Sequence, residues 1–181
     1  MVIILFITCF VSLVEFAFLF TAWGSVGFAS HDAAQLVATY GNTTGADCSV
    51  LQRVGLDINA PSNPALIKSV DIFLVDTSTN GSPVAGKENI WNYDGGSHDC
   101  KTPAGITIQI PFTLDTTGYP TDDRCNVNEG IGCSRATVDT IGVKVSYQYG
   151  WMTPFPKLVG FLAGSGPLLS QTTIMRLEPI R

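Results

Sequence analysis

Basic residues are scarce in this chain, and the first 52 residues contain neither lysine nor arginine. The ten lysines and arginines are scattered along the sequence, and the net charge is −5. Proteins that bind nucleic acid neutralise phosphates with a basic stripe or patch. The absence of such a stripe excludes nucleic acid as an expected partner.

The common catalytic and cofactor-binding motifs are also missing. The serines have no G-x-S-x-G context, His31 and His98 have no H-E-x-x-H spacing, and no glycine-rich phosphate loop follows a strand. No C-x-x-C occurs, so a zinc site would need ligands from distant loops. The sequence therefore predicts a protein without enzymatic activity, cofactor or evident small-molecule substrate.

One acidic segment, residues 115–129, leaves two interpretations open. Its oxygen-bearing side chains could bind calcium, but the calcium-loop pattern fails because its required glycine falls on Glu129. We interpret the segment as a solvated acidic loop and keep a calcium site as the alternative. The side chains concerned are Asp115, Asp122, Asp123, Asn126, Asn128 and Glu129.

Apolar residues, in contrast, dominate the start of the chain. Residues 2–29 are suited to hydrocarbon, apart from Glu15. About 20 apolar residues at a rise of 1.5 Å cross a hydrocarbon core of roughly 30 Å. The run predicts a transmembrane anchor helix over residues 1–30, followed by a single domain over residues 31–181. A cleaved signal peptide is the alternative, although its apolar core would be shorter and would follow a basic stretch.

Glu15 is the unusual residue of this run. A carboxylate near the middle of a membrane is normally protonated, paired or turned toward another helix. No basic residue lies within reach on the same helix, a single span has no second helix to offer, and Thr8 and Ser12 could satisfy the acid only in part. We therefore expect Glu15 to be an intramembrane contact with other membrane helices of an assembly.

Four cysteines follow the apolar run: Cys48, Cys100, Cys125 and Cys133. An even number in an acidic domain rich in glycine and proline favours two disulfides in an oxidising compartment over four free thiols in the cytoplasm. Cys125 and Cys133 bracket the turn-rich "CNVNEGIGC", which favours pairing them and leaves Cys48 with Cys100, although four cysteines allow three connectivities. The disulfides place the amino terminus in the cytoplasm and the domain outside the cell membrane.

The remaining patterns predict an α+β fold. Helical periodicity continues past the membrane to Gly41, and "CSVLQRVGLDI" indicates a second, short helix. Alternating apolar and polar residues then predict an antiparallel sheet of four or five strands, with Pro111 pushing its strand toward an edge. The strand segments are "KSVDIFLVDT", "NIWNYD", "GITIQIPFTL", "TVDTIGVKVSYQYGW" and "SQTTIMRLEPI".

An apolar segment, "TPFPKLVGFLAGSGPLL", separates the last two predicted strands. It is too short to cross a bilayer and is either a loop that covers the sheet or an exposed docking surface for lipid or protein. The residues that would form the docking surface are Phe155, Leu158, Val159, Phe161 and Leu162.

A family resemblance extends from Val14 to Pro179. "VEF" in the apolar helix, the alanines of "AAQLVA", "VDIFLVDTSTNGSPV", "IGVKVSYQYGWMTPF" and "IMRLEP" follow one another in this order. In this order and spacing they resemble the TadE/TadG-like family, pseudopilin-like proteins of the tight-adherence, or Flp, pilus apparatus.

The resemblance implies a pilin-like fold and a non-enzymatic, single-pass subunit of a pilus or secretion apparatus, assembled through its helix. The alternative function is an accessory single-helix subunit of a larger integral-membrane complex, energy-converting or light-harvesting. The absence of basic residues ahead of the apolar helix favours that alternative.

Overall fold

A computed structural model describes residues 2–59, 62–79, 81–125, 138–153 and 166–178. These residues form two α-helices and five strands, with two short 3₁₀ turns at Pro64–Leu66 and Thr121–Asp123. The elements are α1 (Val2–Tyr40), α2 (Ala46–Asp57), β1 (Ile67–Val75), β2 (Pro83–Lys101), β3 (Thr107–Thr117), β4 (Thr140–Gln148) and β5 (Leu168–Arg176).

Helix α1 is continuous, as predicted, and ends where Gly41 adopts a positive φ of 35° and donates its N–H to the Val37 carbonyl. At 1.5 Å per residue its 39 residues extend about 58 Å. It is long and apolar enough to cross a bilayer. The buried residues of α1 recur at helical spacing and form one face. Apart from Glu15, the first of them, they have small side chains. That face contains Glu15, Ala22, Val26, Ala29, Ala33 and Val37.

The five strands form one antiparallel sheet in the order β3-β2-β1-β4-β5. The predicted placement of Pro111 on an edge strand is confirmed, because β3 is an edge strand. Strand β2 is longer than the predicted "NIWNYD" and includes a bulge between Tyr93 and His98 in its pairing with β3. The fold class is therefore α+β, with a long apolar helix preceding a five-stranded antiparallel sheet.

Both helices lie on one face of the sheet. Helix α1 packs on β4 and β5, where the buried Ser30 hydroxyl donates to the Val143 carbonyl at 2.9 Å. Helix α2 packs on α1, and Arg53 joins the two through Asp32 of α1 at 2.6 Å. The end of the chain returns to α1, since Glu178 donates its N–H to the Ala38 carbonyl at 2.9 Å. Glu178, directly after the predicted strand, therefore helps to hold the sheet on the helix.

On the opposite face of the sheet, Phe73 of β1 lies over its cross-strand partner Gly142 of β4. A Cβ added at Gly142 would lie 2.4 Å from the Phe73 ring, which is 2% exposed. We expect Gly142→Ala to lower the free energy of unfolding by about 1–3 kcal/mol, because a packed ring has to move. Thermal unfolding followed by circular dichroism in detergent measures this loss.

Gly55→Ala in α2 is the matched control, because no atom beyond the neighbouring backbone of its own helix lies within 4 Å of its added Cβ. It should leave the melting temperature unchanged or raise it, since alanine favours helix over glycine. Adding Phe73→Leu to Gly142→Ala should recover part of the loss, and equal melting temperatures for Gly142→Ala and the wild type would refute this account of the packing.

Candidate functional site

The buried carboxylate of Glu15 is the most unusual polar feature of α1. The residue is 5% exposed, and its two oxygens accept three hydrogen bonds. Oε1 accepts from the Tyr149 hydroxyl at 2.7 Å and from the Met152 N–H at 3.0 Å, and Oε2 accepts from the Thr153 N–H at 2.8 Å. Two main-chain donors and one hydroxyl therefore satisfy this carboxylate.

All three donors come from the turn that follows β4. Tyr149 is 3% exposed and packs edge-on against Trp151, with ring centroids 5.7 Å apart. Burial raises the pKa of the Tyr149 phenol, and its hydrogen bond to Glu15 raises that pKa further. The phenol is therefore protonated at physiological pH and acts as a donor toward the carboxylate.

The sequence predicts that Glu15 contacts other membrane helices of an assembly, whereas its hydrogen-bond donors in this structure come from its own chain. The prediction took into account only donors on α1 and on neighbouring membrane spans, and the turn after β4 is more than 130 residues away in sequence. The helical spacing of Glu15 with Ala22, Ala29 and Ala33 was the available signal, because it places the acid on the sheet-facing side.

Among the described residues of α1, the first buried one is Glu15, which lies inside the segment that the sequence assigns to the membrane anchor, residues 1–30. Before Glu15 most side chains of the helix are exposed. After Glu15 the helix has two faces, one buried against the sheet and one exposed and apolar. The large exposed side chains between Glu15 and Ala29 are Phe16, Phe20, Trp23 and Phe28, between 49% and 62% exposed.

A second polar site, which we call the Arg124 cluster, is buried on the helix side of the sheet. It contains Asp47 at the start of α2, Asn89 on β2, Tyr119, Arg124 and Asp139. The Arg124 guanidinium has no solvent exposure and forms two contacts with the Asp47 carboxylate, Nη1 to Oδ1 at 2.7 Å and Nη2 to Oδ2 at 3.0 Å. This is a bidentate ion pair, a geometry that arginine often forms with carboxylates.

Neighbouring groups complete the hydrogen bonding of the cluster. Arg124 also donates to the main-chain carbonyls of Tyr119 at 3.1 Å and Gly41 at 3.3 Å. Asn89 donates to Asp47 at 3.0 Å and to the Tyr119 carbonyl at 2.8 Å, and accepts from the Tyr119 N–H at 2.9 Å. The cluster thus ties the chain after β3 to the ends of both helices and to β2.

The Tyr119 ring extends this network to the start of β4. It lies 5.2 Å below the Arg124 guanidinium, and its hydroxyl donates to Asp139 Oδ2 at 2.5 Å. Burial raises the pKa of Tyr119, as does its hydrogen bond to the Asp139 carboxylate. Asp139 Oδ2 also accepts the Cys125 N–H at 2.9 Å, so one carboxylate holds both Tyr119 and Cys125.

Sequence reasoning missed the Arg124 cluster. It treated residues 115–129 as a solvated loop with calcium as the alternative, and it gave Arg124 no structural role. The one cation among these acidic residues was the signal, because a lone arginine in an acidic segment has counter-ions available.

The other acidic residues of that segment that the structure describes show no metal geometry. Asp115, Asp122 and Asp123 are exposed, and Asp123 pairs with Lys87 at 3.0 Å. Asn126, Asn128 and Glu129 lie outside the described residues. Among the residues that the structure describes, no three His, Cys, Asp or Glu side chains are grouped to hold a metal ion.

The cysteines divide into three cases. The predicted disulfide between Cys48 and Cys100 is present and joins α2 to the end of β2. Cys125 is also disulfide-bonded, and its predicted partner Cys133 lies outside the described residues. Cys9, on the exposed part of α1, is a free thiol. The predicted docking residues Phe155, Leu158, Val159, Phe161 and Leu162 lie outside the described residues as well.

No protein-family model, curated protein or solved structure matches this chain.

Proposed function

We propose that this protein is a single-pass, membrane-anchored structural subunit of an envelope-spanning assembly, similar to the TadE-like pseudopilins of a Flp-type pilus or secretion apparatus. The two-faced helix α1 is the observation that carries the proposal. One face is buried in the protein's own sheet from Glu15 onward, while the other exposes Phe16, Phe20, Trp23 and Phe28. A large exposed apolar surface is typical of a site that meets lipid or protein.

The length of this apolar surface supports an assembly role in addition to membrane insertion. From Val2 to Phe28 the helix rises about 39 Å, which exceeds a hydrocarbon core of roughly 30 Å. Because the sheet already covers one side of α1 beyond Glu15, lipid or neighbouring helices have to cover the other. A subunit that packs helix against helix with its neighbours would bury this surface.

The proposed orientation places the amino terminus in the cytoplasm and the domain outside the cell membrane. The Cys48–Cys100 disulfide supports it, since disulfides form and persist in oxidising compartments. The proposed pilin-like character is supported by the sequence resemblance and by a long apolar helix packed along an antiparallel sheet.

Purification of the protein from its native membranes in a mild detergent tests the proposal. We expect it to co-purify with the ATPase and platform proteins of a pilus or secretion apparatus, or as a filament. Co-purification in fixed proportion with a pigment-bearing or redox complex would contradict the pilus proposal and support an accessory subunit instead.

Cys9 provides a second readout of assembly through α1, because it is free and exposed on that helix. A membrane-permeant bis-maleimide added to native membranes should join Cys9 of this protein to a cysteine of an adjacent subunit. Cys9→Ser is the matched control and should abolish the cross-linked species. If the wild type stays uncross-linked in membranes where the assembly is intact, α1 does not approach a cysteine-bearing neighbour at this depth.

A further inference from the structure

A cleft lies at the end of the domain farthest from Val2, where the last turn of α1, the start of α2 and the β2–β3 loop meet. Its volume is about 840 Å³, within the range of small-molecule binding sites. Six of its lining residues supply polar and apolar groups for contact with a ligand: Tyr40, Thr43, Ser49, Gln52, Pro103 and Ile106.

Covalent and close-packed contacts hold the two walls of this cleft together. The Cys48–Cys100 disulfide joins α2, which carries Ser49 and Gln52, to the end of β2. At Gly45, φ is 88° and a Cβ would lie 2.1 Å from the Lys101 carbonyl oxygen, so only glycine allows this approach. The cleft is therefore formed before any ligand arrives, which lowers the entropy cost of binding.

The loop wall is also fixed by its own hydrogen bonds. The Thr102 N–H donates to the Ile106 carbonyl at 2.9 Å, and the Gly105 N–H donates to the Thr102 carbonyl at 2.8 Å. This closed turn presents Pro103 and the 62% exposed Ile106 toward α2. The apolar part of the cleft is thus held in position.

The polar part of the cleft is uncharged. None of the residues that line it is Asp, Glu, Lys, Arg or His. Within the described part of the chain, the side chains of Tyr40, Thr43, Ser49 and Gln52 make no hydrogen bond. Three hydroxyls and one amide are therefore available as neutral donors and acceptors beside an apolar surface.

We propose that this cleft binds a neutral carbohydrate. Sugar hydroxyls match neutral side-chain donors and acceptors, and the C–H face of a sugar ring packs on an aromatic ring such as Tyr40, which is 39% exposed. A phosphate or carboxylate ligand would lose its hydration without finding a counter-charge. The site is independent of the proposed membrane role, and it lies at the end of the domain that points away from the anchor.

Titration calorimetry on the full chain tests this site. The protein is kept in a detergent without a sugar headgroup, because a maltoside or glucoside would compete for the cleft. The probes are maltotriose, cellotriose and chitotriose, with trigalacturonic acid and a triproline peptide as comparators. We expect at least one neutral trisaccharide to bind saturably, with a Kd of about 1 mM or lower.

The variants Tyr40→Ala and Gln52→Ala should each weaken that binding about tenfold or more. Thr172→Ala, an exposed position on β5 away from the cleft, is the matched control and should bind as the wild type does. Circular dichroism melting curves confirm that each variant is folded, and Tyr40→Phe replaces Tyr40→Ala if the latter does not fold, with a smaller expected loss.

Three results would overturn the proposal. They are no binding of any neutral trisaccharide at about 10 mM, tighter binding of the acidic sugar or the peptide, and unchanged binding in folded variants of Tyr40 and Gln52.

Discussion

Replacing Arg124 by methionine is expected to lower the free energy of unfolding by about 3–5 kcal/mol, because the Asp47 carboxylate would remain buried without a counter-charge. Asp47 is 7% exposed, and the Arg124 side chain is its only cation within 4 Å in the described chain. The substitution also removes the hydrogen bonds from Arg124 to the carbonyls of Gly41 and Tyr119, although the Tyr119 carbonyl keeps its bond from Asn89. Chemical or thermal unfolding of the full chain in detergent measures the loss.

A second variant separates the charge effect from the packing effect. Combining Arg124→Met with Asp47→Leu removes both charges, so the double variant should be more stable than Arg124→Met alone. If the double variant is as unstable as the sum of the single variants, the two side chains are not coupled and the ion pair is not what holds the cluster.

Lys87→Ala is the matched control for a charge effect at the surface. Lys87 forms an ion pair of 3.0 Å with Asp123, the residue before Arg124, but the two side chains are exposed, at 42% and 50%. Exposed pairs contribute little, so this variant should change the stability by less than about 1 kcal/mol. The contrast between the two pairs tests whether burial, and not ion pairing as such, sets the size of the effect.

Glu15→Leu is expected to release the turn after β4 from helix α1 and to lower the stability by about 3 kcal/mol, since three donors lose their acceptor in a buried site. Hydrogen exchange gives the direct readout, because two of these donors are main-chain amides. In the variant, the amides of Met152 and Thr153 should exchange much faster than in the wild type.

Ser12→Leu is the control for adding a leucine to the same helix, because within the described residues the Ser12 hydroxyl donates only to the Thr8 carbonyl of its own helix. It should leave the protection of Met152 and Thr153 unchanged. Tyr149→Phe removes one of the three hydrogen bonds and should cost about 1 kcal/mol, with little further loss in the presence of Glu15→Leu. Unaltered amide protection in Glu15→Leu would show that the carboxylate does not hold the turn.

The helices and strands of this fold could be predicted from local sequence patterns. The apolar run ending at Gly41 predicts α1, alternation predicts the strands, and Pro111 predicts an edge. These features depend on residues a few positions apart, and such patterns show which side of an element faces the core. Because Cys125 and Cys133 bracket a turn and were expected to pair, Cys48 was predicted to pair with Cys100.

The polar sites could not be derived in the same way. The donors of Glu15 lie 134 to 138 residues away, and Asp47 lies 77 residues from Arg124. Contacts between residues of different elements depend on the strand order and on where α1 crosses the sheet. The periodicity of a sequence contains no information on either. A buried acid or arginine can therefore be recognised as in need of a partner before that partner can be named.

The central claim that we propose is that the exposed apolar part of α1 before Glu15 lies in a membrane and that the helix supports the sheet from Glu15 onward. A nitroxide on Cys9, in the full chain reconstituted into liposomes, tests this claim most directly. We predict that the label collides readily with oxygen, which dissolves in lipid, and poorly with a water-soluble nickel chelate, while a label on Thr172→Cys in a Cys9→Ser background shows the reverse. Equal access of the nickel chelate to both labels would contradict the claim.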